Sequence, residues 1–291
     1  TKKGKEAYVF PVIDKEKNSH AFEVRVGRPP DDFDPSKGTV NRSGGRCLLT
    51  GEPMPFEHIR REGKAGRMGT RLMAVICEGS RGRVYLSPVG EQESIAKKAK
   101  PVDYPDTDIP EQALGFRVQL YGMDKHYKLF TDRQLVALTT FSDLVGEARE
   151  KALADARVAG TLPDDDRPLD SGGTGPTAYA DAVAVYLALG LSRTTNTLCT
   201  ISRWTAERNQ TVTAFARQAV PMTWDYPEVN PLAGAAGDIS VSTGSIAEAV
   251  NRMPALIDGQ ANQLDAMQSI NDSSLSIVST DPPYYDNIGY A

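Results

Sequence analysis

The chain has 291 residues, 40% of them hydrophobic and 24% charged, with a formal net charge of −5 at neutral pH. That is room for one large or two ordinary domains and enough apolar material for a core, yet no apolar run approaches the length of a membrane span. Three widely spaced cysteines exclude a disulfide framework, and without a charged-then-apolar leader a cytoplasmic rather than a secreted protein is expected. The negative balance repels phosphate, so any contact with nucleic acid must come from a local patch.

Residues 1–95 read as strand-rich. The runs 7–10, 21–26, 71–76 and 82–86 are β-branched or aromatic and are divided by glycine, proline and charged loops. Between His58 and Arg83 lie Arg60, Arg61, Lys64, Arg67, Arg71, Arg81 and Arg83, opposed only by Glu62 and Glu78. Several of these fall in the glycine-containing stretch 61–69, which reads as a mobile loop. The patch is either a phosphate-binding surface or solvated charge balancing acidic surface elsewhere. Residues 96–110, rich in lysine, aspartate and proline, read as a linker, and no repeat of 20–50 residues is visible.

Residues 111–230 read as helical. Thr131 with Gln134 forms a capping box, and Leu135, Leu138, Phe141, Leu144, Val145 and Ala148 mark one face of a long helix ending near Gly160. The acidic, then glycine-rich stretch 162–175 reads as mobile. Pro176 suits the first turn of a second, alanine-rich helix through Tyr179, Val183, Tyr186, Leu187 and Leu191. A third helix is expected over about 206–219. Trp224, Asp225, Tyr226, Glu228 and Asn230 follow as a polar-aromatic loop, either lining the DNA or cofactor cleft or forming a buried plug between domains.

Residues 231–291 return to α/β character. Ser245 with Glu248 reads as another capping box, opening a helix to about residue 257. A short strand before Asp272 and a β-branched run over 274–280 would then lie side by side, the strand–helix–strand grammar of a parallel sheet. Directly after that run stand Asp281, Pro282, Pro283 and Tyr284, at the strand end where open α/β sheets collect catalytic groups. The two prolines stiffen the turn and remove its N–H donors, leaving free carbonyls. A carboxylate, a bare carbonyl and an aromatic face within four residues suit a flat ligand carrying an –NH₂ group, such as a flipped adenine or cytosine.

This tetrapeptide resembles the catalytic motif of DNA methyltransferases that methylate exocyclic amines, the aspartate form going with adenine. The stretches 121–123, 129–135, 215–219, 224–231 and 284–291 are similar, in order and spacing, to the large bacterial adenine-specific DNA methylases that carry a zinc-ribbon insertion. The resemblance covers most of residues 110–291 and, more loosely, 20–90. It implies an α/β, Rossmann-like S-adenosylmethionine-dependent sheet, present in part, with a strand-rich insertion (1–95) and a helical region (111–230). It further implies S-adenosylmethionine as cofactor, double-stranded DNA as substrate, and a restriction or defence protein as partner. Asp281, Pro282, Pro283 and Tyr284 would be catalytic. Asp272 would meet the cofactor or, alternatively, cap a helix. Arg60, Arg61, Lys64 and Arg67 would contact DNA phosphates.

Two departures from the family pattern stand out. None of the glycine clusters at 38–45, 172–175 and 234–237 follows a buried strand with a helix opening behind it. The methionine end of the cofactor needs that close backbone approach, so the chain is expected to be an internal piece with an incomplete cofactor site. At the ribbon position Cys47 is followed by Thr50 where a second cysteine would stand, and Cys77, His20 and His58 lack suitable spacing, so no metal site is expected. Rival readings are methylation of cytosine N4 or of RNA, or a non-catalytic nucleic-acid- or protein-binding module in which the tetrapeptide is only a turn.

Overall fold

A computed structural model describes residues 6–80, 82–111, 115–215 and 219–253. The chain mixes α and β elements, and every named strand pairing among the described residues is antiparallel. Strands β1 (Ala7–Asp14) and β2 (Ser19–Val26) form a hairpin with Ala7 opposite Val26. Its turn is tied by the Lys17 amide donating to Asp14 Oδ1 at 3.0 Å, with Asn18 in the left-handed region at φ 47°. Phe33 packs on Tyr8 and Phe10, and the Arg25 guanidinium stacks 3.6 Å from the Phe10 ring centroid.

A small sheet follows, β3 (Val40–Asn41), β4 (Gly44–Arg46) and β5 (Pro53–Met54), and it leads into helix α1 (Phe56–Lys64). Here the structure corrects the expected loop. Residues 61–64 are the last turn of α1, with Glu57 in the first turn and Arg61 and Lys64 in the last, matching the helix dipole. Gly63 is buried because α1 lies backbone-to-backbone on the 3-10 turn Val118–Tyr121. A Cβ on Gly63 would stand 2.6 Å from the Tyr121 carbonyl oxygen, and one on Gly122, at φ +87°, 2.5 Å from the Gly63 oxygen.

Strands β6 (Val75–Gly79) and β7 (Gly82–Leu86) pair next, followed by helix α2 (Gly90–Ala96). The expected strand over 71–76 begins late for a local reason. The Leu72 amide donates to Glu93 Oε1 at 3.0 Å and Arg71 pairs with Glu93 at 3.6 Å, so 71–74 is tied to α2 instead of a ladder.

Helix α3 (Asp132–Ala159) starts where the capping box was read. The Gln134 amide donates to Thr131 Oγ1 at 3.2 Å, the Thr131 amide donates to Gln134 Oε1 at 2.8 Å, and Gly160 closes the helix in the left-handed region. Helix α4 (Pro176–Thr195) packs against it, and the Arg149–Asp181 pair at 2.7 Å links the two. Small residues make the closest contacts of α4. Ala178, Ala180, Gly190 and Thr194 are buried, whereas Tyr179 and Tyr186 are exposed, because small residues let the neighbouring helices approach closely.

The stretch 162–175 is an ordered turn, not the mobile loop expected. Asp165 accepts from the Arg167 amide and guanidinium and from the Thr174 amide and hydroxyl at 3.0–3.2 Å. In place of a helix over 206–219, strands β8 (Arg203–Thr205) and β9 (Gln210–Val212) form a hairpin whose turn uses Asn209 at φ 53°. The β-branched Thr205, Thr211 and Val212 decide that segment. Helix α5 (Ile239–Arg252) begins six residues before Ser245, which donates to the Val241 carbonyl from inside the helix. Asp238 is the real cap, accepting from the Ser240 amide at 2.6 Å.

The core collects distant segments: Ile109, Val118, Leu129, Cys199, Ile201 and Val220 are buried together, with Phe116, Met123, Phe130 and Ala214 packed on them. Long-range backbone bonds stitch this centre, from the Arg117 amide to the Val220 carbonyl at 3.0 Å and from the Thr200 amide to Leu129 at 2.8 Å. Among the described residues no helix is long and apolar enough to cross a membrane.

Candidate nucleic-acid interface

Asp272, Asp281, Pro282, Pro283 and Tyr284, and with them the expected parallel strands, lie outside the described residues. The four basic residues proposed to meet DNA are all described, and they differ in their partners. Arg67 gives both arms of its guanidinium to Glu62, at 2.6 and 2.9 Å. This bidentate bond, then the charges of Arg67, His58 and Arg61, hold the Glu62 carboxyl below its usual range. Arg61 stands 3.8 Å from the same carboxylate and donates to His58 Nδ1 at 3.0 Å. Lys64 is exposed and has no carboxylate within 4 Å among the described residues.

Arg60 turns the other way, into a cleft of about 340 Å³. Its guanidinium lies 5.4 Å from the Phe56 ring centroid and 5.9 Å from that of Tyr121. Its Nε is buried without a hydrogen-bond partner among the described residues. An unsatisfied buried donor costs about 1–3 kcal/mol, so the aromatic stacking has to offset it. The Tyr121 ring meets Trp224 edge-on, with centroids 5.2 Å apart and planes at 84°, and Trp224 remains 40% exposed. Arg42, from the turn between β3 and β4, and Arg117, ahead of the 3-10 turn, complete the basic lining, and among the described residues no carboxylate lines the cleft. Among the described residues neither Arg42, Arg60 nor Arg117 has a carboxylate within 4 Å; Arg117 Nη1 donates to the Phe116 carbonyl at 2.9 Å.

The cleft is held from three sides. The Gly63–Gly122 contact seats α1 on the 118–121 turn, which the core anchors through fully buried Val118. The segment after Trp224 is pinned to α3, because Glu228 accepts from the Arg133 guanidinium at 2.5–2.9 Å and from the Thr131 hydroxyl at 3.2 Å. Burial, and then the nearby Glu228 carboxylate, push the Tyr226 phenol up to about 12, while Thr70 pulls it down through a hydrogen bond. The loop containing Trp224 borders the cleft and is fastened beside it. Its tryptophan opens on a cleft, and its Tyr226 and Glu228 fasten it. Arg42 and Arg117 carried no signal in the sequence, since only the fold brings them near Arg60.

The glycine clusters differ in their surroundings, an added Cβ meeting open space at Gly38, Gly172 and Gly234. Gly173 and Gly175 are packed on the chain itself, their Cβ positions 1.9 Å from the Arg167 oxygen and 2.1 Å from the Asp165 oxygen, so neither backbone is free to approach a ligand. Gly237 is likewise covered by Val229 and Thr197. No three His, Cys, Asp or Glu side chains come together among the described residues. Cys77 is exposed on β6, and Cys199 is buried, which raises its thiol pKa. Cys47 sits in a tight turn between β4 and β5, where the Gly51 amide donates to its carbonyl at 2.9 Å. The Thr50 hydroxyl, followed by the Thr50 and Leu49 amides, lowers its thiol pKa by hydrogen bonding. No family model, no curated protein and no solved structure matches this chain.

Proposed function

We propose that the chain belongs to a cytoplasmic S-adenosylmethionine-dependent DNA methyltransferase of the amino-methylating type, acting on the N6 amine of a flipped adenine. The observation that carries this reading is the tetrapeptide Asp281, Pro282, Pro283, Tyr284 closing the β-branched run 274–280. The Cys47 turn agrees with this reading only in sequence, Thr50 standing where a second ribbon cysteine would be. The finer fold, a Rossmann-like sheet holding the tetrapeptide at its strand ends, belongs to the same proposal.

S-adenosylmethionine, when bound, supplies the methyl group. The chain's own residues present the acceptor. The adenine amine lone pair is delocalised into the ring and makes a poor nucleophile. Asp281 and the Pro282 carbonyl each accept one of its N–H bonds and favour a more tetrahedral nitrogen, while Tyr284 stacks on the base. Positioning and electrostatics then carry most of the acceleration. Asp281→Ala in the intact protein is expected to slow methyl transfer by about 10²–10³-fold with DNA affinity retained. Tyr284→Ala is expected to weaken capture of the flipped base by about 1–3 kcal/mol. Methylation at the wild-type rate by the Asp281 variant, followed by incorporation of labelled methyl groups into DNA, would end this reading.

A further inference from the structure

We propose that the cleft between α1, the 118–121 turn and residues 221–224 holds an unpaired nucleotide of a single-stranded nucleic acid. The base lies against the Trp224 indole, and the phosphates lie on Arg42 and Arg117. Three observations carry this. Arg42, Arg60 and Arg117 converge on one cleft that, among the described residues, no carboxylate lines, in a chain whose formal charge is −5. Guanidiniums left uncompensated in an acidic chain select an anion locally that the molecule repels globally.

The aromatic residues narrow the anion's class. Trp224 is braced edge-on by Tyr121 at 5.2 Å yet stays 40% exposed, so the orientation of its ring is set before a ligand arrives. A preset ring beside arginines recognises any base through its π-face, the combination that single-strand binders use. Inorganic phosphate or a phosphorylated side chain would leave the indole without a partner. A base stacked within a duplex has no free face to present, which favours an unpaired one.

Arg60 has a different part. Stacked on Phe56 and Tyr121, it fixes the cleft's floor and adds positive potential there, while the exposed Arg42 and Arg117 reach the phosphates. The proposal does not depend on methyl transfer. It is tested without S-adenosylmethionine, so either reading can fail alone.

The chain has two tryptophans, Trp224 in the cleft and Trp204 in β8, so intrinsic fluorescence reports the site, with Trp204 as an internal control. Titration with a short oligothymidylate is expected to quench fluorescence saturably, and Trp224→Ala to remove the quenching. Arg42→Glu with Arg117→Glu, both exposed positions, is expected to leave the circular dichroism unchanged, to weaken binding at least about tenfold and to flatten the salt dependence by roughly 1–2. Thymidine monophosphate is expected to bind at least about tenfold more weakly than the oligonucleotide. Equal binding by the monophosphate would assign the cleft to a free nucleotide and overturn the strand. Equal binding by a duplex would overturn the unpaired base. Absence of quenching, or quenching indifferent to the arginine variants, would overturn the site itself.

Discussion

Gly63 and Gly122 are the two residues on which the candidate interface turns. A Cβ on Gly63 would stand 2.6 Å from the Tyr121 carbonyl oxygen and one on Gly122 2.5 Å from the Gly63 carbonyl oxygen, and Gly122 also adopts a positive φ of 87°. Gly63→Ala is therefore expected to cost about 1–3 kcal/mol by overpacking, and Gly122→Ala at least as much, since backbone strain adds to the clash. Chemical denaturation measures both. A Gly63→Ala protein as stable as the parent would show that α1 can shift off the turn freely, and the cleft would then not be preorganised. The pair also explains why 61–69 reads as loop in the sequence. Glycine lowers helix propensity by about 1 kcal/mol, and nothing local reveals that it is there for close approach to a turn some sixty residues away. Thr131 shows the opposite case. Its cap and its partner Gln134 are three residues apart, so the start of α3 was legible from the sequence alone.

The same contrast holds for whole elements. Helix α3 is announced by its capping box and closed by Gly160, both local signals. The β8–β9 hairpin is masked by helix-compatible neighbours, and the start of α5 was misread because Ser245 and Glu248 also suit a helix interior, while the true cap is Asp238. The 160–175 connection owes its order to one carboxylate, which its acidic, glycine-rich composition hides. The bonds from the Arg167 side chain, then those from the Arg167 and Thr174 amides, hold Asp165 far below the usual carboxylate value of 3.8. Because its folded-state pKa is depressed, its stabilisation is present above the unfolded value and is lost as pH falls from 3.8 through the folded one. Asp165→Asn is thus expected to lower the melting temperature near about pH 7, and the gap between variant and parent is expected to close towards about pH 2. A gap of the same size at both pH values would mean that the carboxylate's charge contributes nothing to holding the turn.

At the scale of the whole molecule the question is how a chain of net charge −5 meets DNA at all. Counting basic residues between His58 and Arg83 suggests a patch able to neutralise about four phosphates, but a count cannot show pairing or direction. Arg67 is taken bidentately by Glu62, Arg61 is shared between Glu62 and His58, and Arg60 points into the cleft, which leaves Lys64 outward and unpaired among the described residues. The cleft itself was not legible for a related reason: its arginines come from three separated segments, and nothing in the sequence joins Arg60 and Trp224, each singled out there, to Arg42 and Arg117. Changing Arg60, Arg61, Lys64 and Arg67 together to Ala is therefore expected to flatten the log-affinity versus log-salt slope for duplex DNA by about 1 rather than about 4. Glu62→Gln separates the alternatives by sign. It releases Arg67 and Arg61 from their carboxylate, so duplex affinity is expected to rise and the slope to steepen by about 1–2. If the four-residue variant instead flattened the slope by about 4 while Glu62→Gln changed nothing, the ion pairs around Glu62 would not survive DNA binding. The basic stretch would then act as one continuous phosphate-binding surface.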